Sequence, residues 1–322
     1  MSDYLAEHLA AIQQAAARIA PYLRRTPVLP TDLDASLFLK PECLQVTGSF
    51  KPRGAFNAMI GILERQPHVR GVVAVSSGNH AQGVALAART LGVTATIVMP
   101  ADANPAKLDA TRALGAEVVN DGVTVMNRED IARQLCAERS LTLLHPFDDW
   151  DVIHGQGTAT LELLTDRPDI RTIIAPIGGG GLISGTALAA KAHDPSIRVI
   201  GVEPETAGDA QASLRTKQRQ FLPAPPVTMA DGVMTLSIGV RNFEVMVERG
   251  LVDDIVTVSE QEIERATLLS WEGLKLALEP SGALSLAAYL QGNAPAAGPT
   301  ALIFSGGNAS RPLMARILSR EA

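Results

Sequence analysis

In the stretch "VTGSFKPRGAFNAM", Val46 to Met59, a single lysine, Lys51, stands between Phe50 and Pro52. Ser49 is placed to cap a helix whose first turn holds Pro52, which sets the Lys51 amine beside the positive end of the helix dipole. That field disfavours an ammonium ion, and desolvation among Phe50, Phe56 and Met59 acts in the same direction. An amine so perturbed is suited to Schiff-base chemistry. The competing reading of one lysine is a solvated surface charge.

Three glycine-bearing turns follow strand-like runs. "IIAPIGGGGLISG" passes from an apolar run through Gly178, Gly179, Gly180 and Gly181 into a helix, so backbone N–H groups and a helix N-terminus can approach an anion. This predicts a phosphate cradle, against the alternative of a turn with unusual dihedrals. The pattern is not GxGxxG, and no P-loop lysine follows it. "SSGNHAQG" places Ser76, Ser77, Gly78, Asn79 and His80 at the start of another helix, where a carboxylate or a simple N-cap would fit. "FSGGN", Ser305 to Asn308, is a third turn of this kind. The six histidines form no HExxH pair, and Cys43 and Cys136 lie outside any CxxC spacing, so a zinc hydrolase is disfavoured and reduced thiols are expected.

The elements that must position these residues alternate between strand-length apolar runs and helical periods, the pattern of an α/β protein with largely parallel sheets. Residues 70–148 read as a small lobe, and residues 1–69 together with 149–322 as a larger one. Ligands of open α/β sheets bind beyond the carboxyl ends of the strands, so a cleft between the lobes is the expected site. Ser259 and Glu262 have capping-box spacing before a helix expected from about Glu260 to Leu278. Residues 218–239 read as a long irregular loop. Thr172 to Ala190 carries no charge, but Pro176 and five glycines mark it as strand, turn and helix start and not a membrane span. With 28 basic and 34 acidic residues the net charge is −6, interspersed in sign, which gives no footprint for nucleic acid or an anionic membrane. Acids in "MSDYLAEHLA" argue against a secretion signal, so a cytoplasmic location is expected.

Taken in order, "RRTPVL", "LFLKPECLQVTGSFKPRGAFNAM", "VAVSSGNHAQGVALAA", "HPFDD", "GQGT", "GGGGLISG", "GVEPE", "ADGV", "VDDIVTVSEQEI", "LEPSGA" and "FSGGN" resemble the fold-type II pyridoxal-phosphate enzymes, specifically the threonine/serine dehydratase and serine racemase group. The resemblance covers nearly the whole chain. It implies a two-lobed fold similar to the tryptophan synthase β chain, with the active site between the lobes, and a homodimer. It puts the Schiff-base lysine at Lys51, Phe50 against the cofactor ring, Asn79 at its phenolic oxygen, Gly178 to Gly181 with the Leu182 amide on the phosphate, and Ser305 at the pyridine nitrogen. Glu279 falls near the ring. The substrate carboxylate would sit on Ser76, Ser77, Gly78, Asn79 and His80.

Two details concern the branch within that group. Ser77 matches the serine racemase and hydroxyaspartate dehydratase branch, where a hydroxyl opposite Lys51 can move a proton; the alternative is a loop cap. Glu203, the Ala207 carbonyl and Asp209 in "GVEPETAGD" match a cation site of that branch, suited to magnesium, calcium or manganese; the alternative is an exposed acidic turn. Arg128 aligns with an arginine that faces the substrate cleft in racemases. Phe147, in contrast, follows the dehydratases, and "DGVMTLSIG" is one residue longer than the usual racemase-like loop, which leaves the roles of Thr235 and Ser237 open. No room remains for a regulatory domain, so feedback by isoleucine is not expected.

The expected activity is a pyridoxal-phosphate-dependent ammonia-lyase acting on L-threonine or L-serine. The alternative inside the group is a serine racemase or 3-hydroxyaspartate dehydratase. Outside it stand a nicotinamide oxidoreductase using Glu203 on the ribose and a non-catalytic amino-acid-binding protein.

Overall fold

The computed structural model describes residues 1–103, 105–124, 126–294 and 298–319, with Ala106 described by its backbone alone. In chain order the elements are α1 (Ser2–Ile19), β1 (Leu29–Pro30), β2 (Leu37–Pro41), α2 (Lys51–Arg65), β3 (Gly71–Val75), α3 (Asn79–Leu91), β4 (Thr94–Val98), α4 (Pro105–Ala113), β5 (Glu117–Val119), α5 (Arg128–Arg139), β6 (Thr142–Leu143) and α6 (Trp150–Asp166). They continue with β7 (Thr172–Pro176), α7 (Gly181–His193), β8 (Arg198–Pro204), α8 (Asp209–Thr216), α9 (Val240–Phe243), β9 (Asp254–Val258), α10 (Glu260–Glu272), α11 (Pro280–Leu290), β10 (Thr300–Phe304) and α12 (Arg311–Leu318).

The strands form two sheets. The larger has the order β1-β2-β10-β7-β8-β9, and only the β1 pairing is antiparallel. The smaller has the order β5-β4-β3-β6 and is parallel throughout. Strands covered by helices on both faces need apolar side chains on both, and β3, β7 and β10 are buried along their whole length. The uncharged run from Thr172 to Ala190 divides into β7, the tetraglycine turn and α7. No helix among the described residues is long and apolar enough to cross a membrane.

Helix α2 precedes the small sheet in sequence and packs on it: Ala55, Phe56, Met59 and Ile62 share one buried cluster with Val72 and Ala74 of β3, Ile97 of β4, and Val84 and Ala88 of α3. The opposite side of α2 meets α6. Its first turn is held by a buried ionic cluster in which Arg53 donates to Glu42 at 2.7 and 2.9 Å and to Glu162 at 2.8 Å twice, while Lys40 donates to Glu162 at 2.6 Å. Arg53, Lys40 and Glu42 have essentially no solvent exposure, so mutual pairing is what makes these charges tolerable.

Two local expectations are corrected. The helix after β9 begins at the expected capping box, with Ser259 and Glu262 exchanging hydrogen bonds, but ends at Glu272. Gly273 weakens the helix there and Lys275 takes a left-handed φ of 58°, turning the chain toward Pro280. Ser49 does not cap α2: the N-cap is Phe50, and among the described residues no side chain caps the helix and the buried Ser49 hydroxyl has no hydrogen-bond partner. Ser49 is instead in an extended conformation and bridges to Gly306, which commits this residue to backbone pairing and not to the first turn of the helix.

Candidate active site

One cavity of about 350 Å³ lies between the two sheets and gathers most of the residues singled out above. Its lining includes Phe50 and Lys51 at the start of α2; Ser76, Ser77, Gly78, Asn79 and His80 at the start of α3; Gly178 to Leu182 at the start of α7; Arg128 of α5; and Ser305 after β10. Three helix N-termini thus open on one space, those of α3 and α7 following β3 and β7, and their partial positive charges favour anionic ligands.

Lys51 is the first residue of α2. Its Nζ lies 3.3 Å from the Pro146 carbonyl and 5.1 Å from the centre of the Phe50 ring. Removal from water lowers its pKa to about 8, against an opposing pull from the Glu279 carboxylate. Desolvation therefore makes this an amine that gives up its proton close to neutrality. Burial, with help from the Lys51 charge, likewise holds the neighbouring His80 well below the ordinary histidine value, so its ring is neutral.

The tetraglycine is demanded by its walls as much as by its backbone angles. A Cβ on Gly179 would lie 2.3 Å from the Phe147 ring, and Gly180 has φ +96°. The departure at Phe147 noted from sequence is thus the surface that presses on this turn. Among the described residues the amide N–H groups of Gly178, Gly179 and Gly180 have no protein acceptor. They stand at the positive end of α7, a donor set for an anion. The amides of Ser77 and Asn79 are equally free at the start of α3.

Asn79 and Ser305 frame the side of the cavity nearest the large sheet. Asn79 Nδ2 donates to Glu279 Oε1 at 2.6 Å, and Asn79 Oδ1 accepts from Asn308 Nδ2 at 2.8 Å. The Ser305 hydroxyl makes one long contact, donating to the Ser281 carbonyl at 3.3 Å. Arg128 lines the cavity with its Nε buried and, among the described residues, without a partner. Lys107 of α4 and Asp231 pair across the cavity mouth, a link that no spacing in the sequence signals.

Glu203, Ala207 and Asp209 lie outside this cavity. The Glu203 carboxylate accepts from the amides of Ala210 and Gln211 at 3.1 and 2.9 Å, and Asp209 Oδ2 accepts from the Ile238 amide at 2.9 Å. Both carboxylates are buried, so the turn is not an exposed acidic one. Burial and then the charge of Asp209 raise Glu203 well above the usual carboxylate range, and burial raises Asp209 to about 6. Among the described residues no group of three or more His, Cys, Asp or Glu side chains is arranged so that it could hold a metal ion.

The fold and the cavity define a two-sheet α/β enzyme that brings a low-pKa lysine and a backbone anion cradle to one pocket. Residues 19–306 match the family described as pyridoxal-phosphate dependent enzyme, and the chain belongs to that family. A serine racemase of Oryza sativa subsp. indica is 45% identical over 87% of this chain and 82% of its own. The L-threo-3-hydroxyaspartate ammonia-lyase of Saccharomyces cerevisiae is 40% identical over 96% and 95%. A crystal structure of a threonine deaminase from T.th. superposes with a TM-score of 0.88 at 49% identity, covering 94% of this chain and 98% of that one.

The donor set fits pyridoxal phosphate. An amine that deprotonates near neutrality suits its aldehyde, and unpaired amides at a helix N-terminus suit its phosphate. A neutral serine hydroxyl, Ser305, lines the same cavity.

Proposed function

We propose that the protein is a pyridoxal-phosphate-dependent ammonia-lyase whose substrates are small β-hydroxy amino acids, L-threonine and L-serine first. The observation that carries this reading is the shared cavity of the desolvated Lys51 amine and the free amides of Gly178 to Gly180. When bound, pyridoxal phosphate supplies an electrophilic aldehyde and a conjugated ring that draws electron density from the substrate α-carbon.

The chain supplies the rest. Gly178, Gly179, Gly180, Gly181 and Leu182 hold the phosphate, Phe50 packs on the ring, Asn79 reaches the phenolic oxygen, and Ser305 faces the pyridine nitrogen. Because Ser305 is uncharged, it does not force protonation of that nitrogen as a carboxylate would, which favours elimination over transamination. The α3 N-terminus, from Ser76 to His80, takes the substrate carboxylate. The Lys51 amine, once free, takes the α-proton. That proton and the β-hydroxyl leave as water, and the resulting enamine takes up water to give a 2-oxo acid and ammonia.

Ser77 lines the same cavity and supports a second reading, in which its hydroxyl exchanges a proton on the face opposite Lys51 and serine is racemised. Arg128, with its unpartnered Nε, would face the substrate in either reading. Glu203, the Ala207 carbonyl and Asp209 are proposed to hold magnesium, calcium or manganese, since a shared cation would let both buried carboxylates ionise.

Purified protein reconstituted with pyridoxal phosphate should show a visible absorbance band that Lys51→Ala removes. It should also release 2-oxo acid from at least one of L-threonine, L-serine and 3-hydroxyaspartate, with chiral analysis reporting any racemisation. A colourless protein that ignores the cofactor sinks the proposal.

A further inference from the structure

Gln156 in α6 is 1% exposed, yet neither its Nε2 nor its Oε1 has a hydrogen-bond partner among the described residues. Proteins keep few buried amides unpaired, because such a group loses its water without replacement. The space for this one is made by the sequence. A Cβ on Gly54 would lie 2.3 Å from Gln156 Nε2, and a Cβ on Gly155 would lie 2.5 Å from the Arg53 carbonyl oxygen. Helices α2 and α6 therefore touch backbone to backbone one turn after Lys51, and the gap left by Gly54 is filled by the carboxamide.

On the other side, a Cβ on Gly157 would lie 2.9 Å from the Gly185 carbonyl oxygen, so α6 is pressed equally against α7. Gln156 thus sits where the helix that begins at Lys51 and the helix that begins at the tetraglycine meet, and it lines the cavity both face. An apolar side chain would fill such a junction at lower cost. A glutamine there makes sense if its partner is a molecule in the cavity.

We infer that Gln156 is a ligand-contacting residue whose carboxamide hydrogen-bonds pyridoxal phosphate held beside Lys51. The inference rests on the cofactor reading proposed above. It implies that the amide lowers the stability of the cofactor-free protein and raises its affinity for the cofactor, a trade expected of a binding group and not of a packing group.

The test compares wild type with Gln156→Met, which keeps length and bulk but cannot form these hydrogen bonds. Cofactor-free Gln156→Met should melt no lower than wild type, and by roughly 2 °C or more higher, while its dissociation constant for pyridoxal phosphate rises about tenfold. A lower melting temperature, failure to fold, or an affinity within twofold of wild type would each overturn the assignment. A wild type that binds no pyridoxal phosphate would instead remove the cofactor reading, and the melting comparison would still report whether the amide has a partner within the protein.

Discussion

Asn79 donates through its side-chain nitrogen to the Glu279 carboxylate across 2.6 Å, tying the first turn of α3 on the small sheet to the residue that precedes α11 on the large one. Asn308 fixes the other end of the same carboxamide. Asn79 is therefore oriented from two sides before any ligand meets it, the preorganisation that the role proposed for it would require.

Glu279 is buried, and burial followed by the Asp231 carboxylate raises its pKa to about 7, while Lys107 and the Asn79 bond pull the other way. A carboxyl group whose folded value exceeds its unfolded one binds extra protons in the folded state. Its contribution to stability is complete below about pH 4.5 and declines as pH rises toward 7. Glu279→Gln, which mimics the neutral acid, should match wild type near pH 4 and exceed it near pH 8 by roughly 3 kcal/mol. Urea titrations of the cofactor-free proteins at the two pH values measure this. Equal stabilities at both would remove the claim.

The same carboxylate raises the pKa of Lys51 against the desolvation that lowers it to about 8. In the cofactor-free protein, labelling of Lys51 by an amine-selective reagent should rise with a midpoint near pH 8, since only the free amine reacts. In Glu279→Gln the midpoint should move to lower pH. Quantifying the labelled peptide against pH tests both statements, and a midpoint that ignores the substitution would show the two groups to be uncoupled.

Much of this site was legible because its chemistry is local. The tetraglycine, the Ser76 to His80 loop and Ser305 each follow strand-like segments, and parallel α/β order brings such turns to one edge, where Lys51 joins them from the start of α2. The loss of Ser49 as a cap and the end of α10 at Glu272 were not legible, because both turn on backbone angles set by tertiary neighbours: the bridge to Gly306 and the left-handed Lys275. Nor could spacing show the pairing of Lys107 with Asp231, or the meeting of Gln156 with Gly54, since each joins segments about a hundred residues or more apart. "GQGT" was visible as a motif, but nothing in the string says that its glutamine is buried without a partner.

Glu203 and Asp209 are buried together, and burial with the Asp209 charge holds Glu203 toward its neutral form, whose proton a divalent cation would displace. Millimolar magnesium should raise the melting temperature of the wild type and a chelator should reverse the gain. Asp209→Asn should abolish the response and be at least as stable as cation-free wild type, because a buried charge is gone. Differential scanning fluorimetry across magnesium, calcium and manganese reads this directly, and a wild type indifferent to all three would dismiss the cation.

Two residues after Lys51 along α2, Arg53 holds two carboxylates at once, Glu42 and Glu162, and is itself 1% exposed. Truncating it does not merely remove a pair. Among the described residues Glu42 would keep one hydrogen bond, from the Thr26 hydroxyl at 2.6 Å, while Glu162 would keep Lys40 at 2.6 Å. Breaking a buried ion pair from one side costs about 3–5 kcal/mol because the abandoned charge stays desolvated. Arg53→Met should therefore destabilise by that amount. The double variant Arg53→Met with Glu42→Gln, which removes the stranded charge as well, should recover a substantial part of the loss. Chemical denaturation of the four members of this double-mutant cycle gives the coupling directly. If the two substitutions add without interaction, the cluster is not what anchors the start of the Lys51 helix.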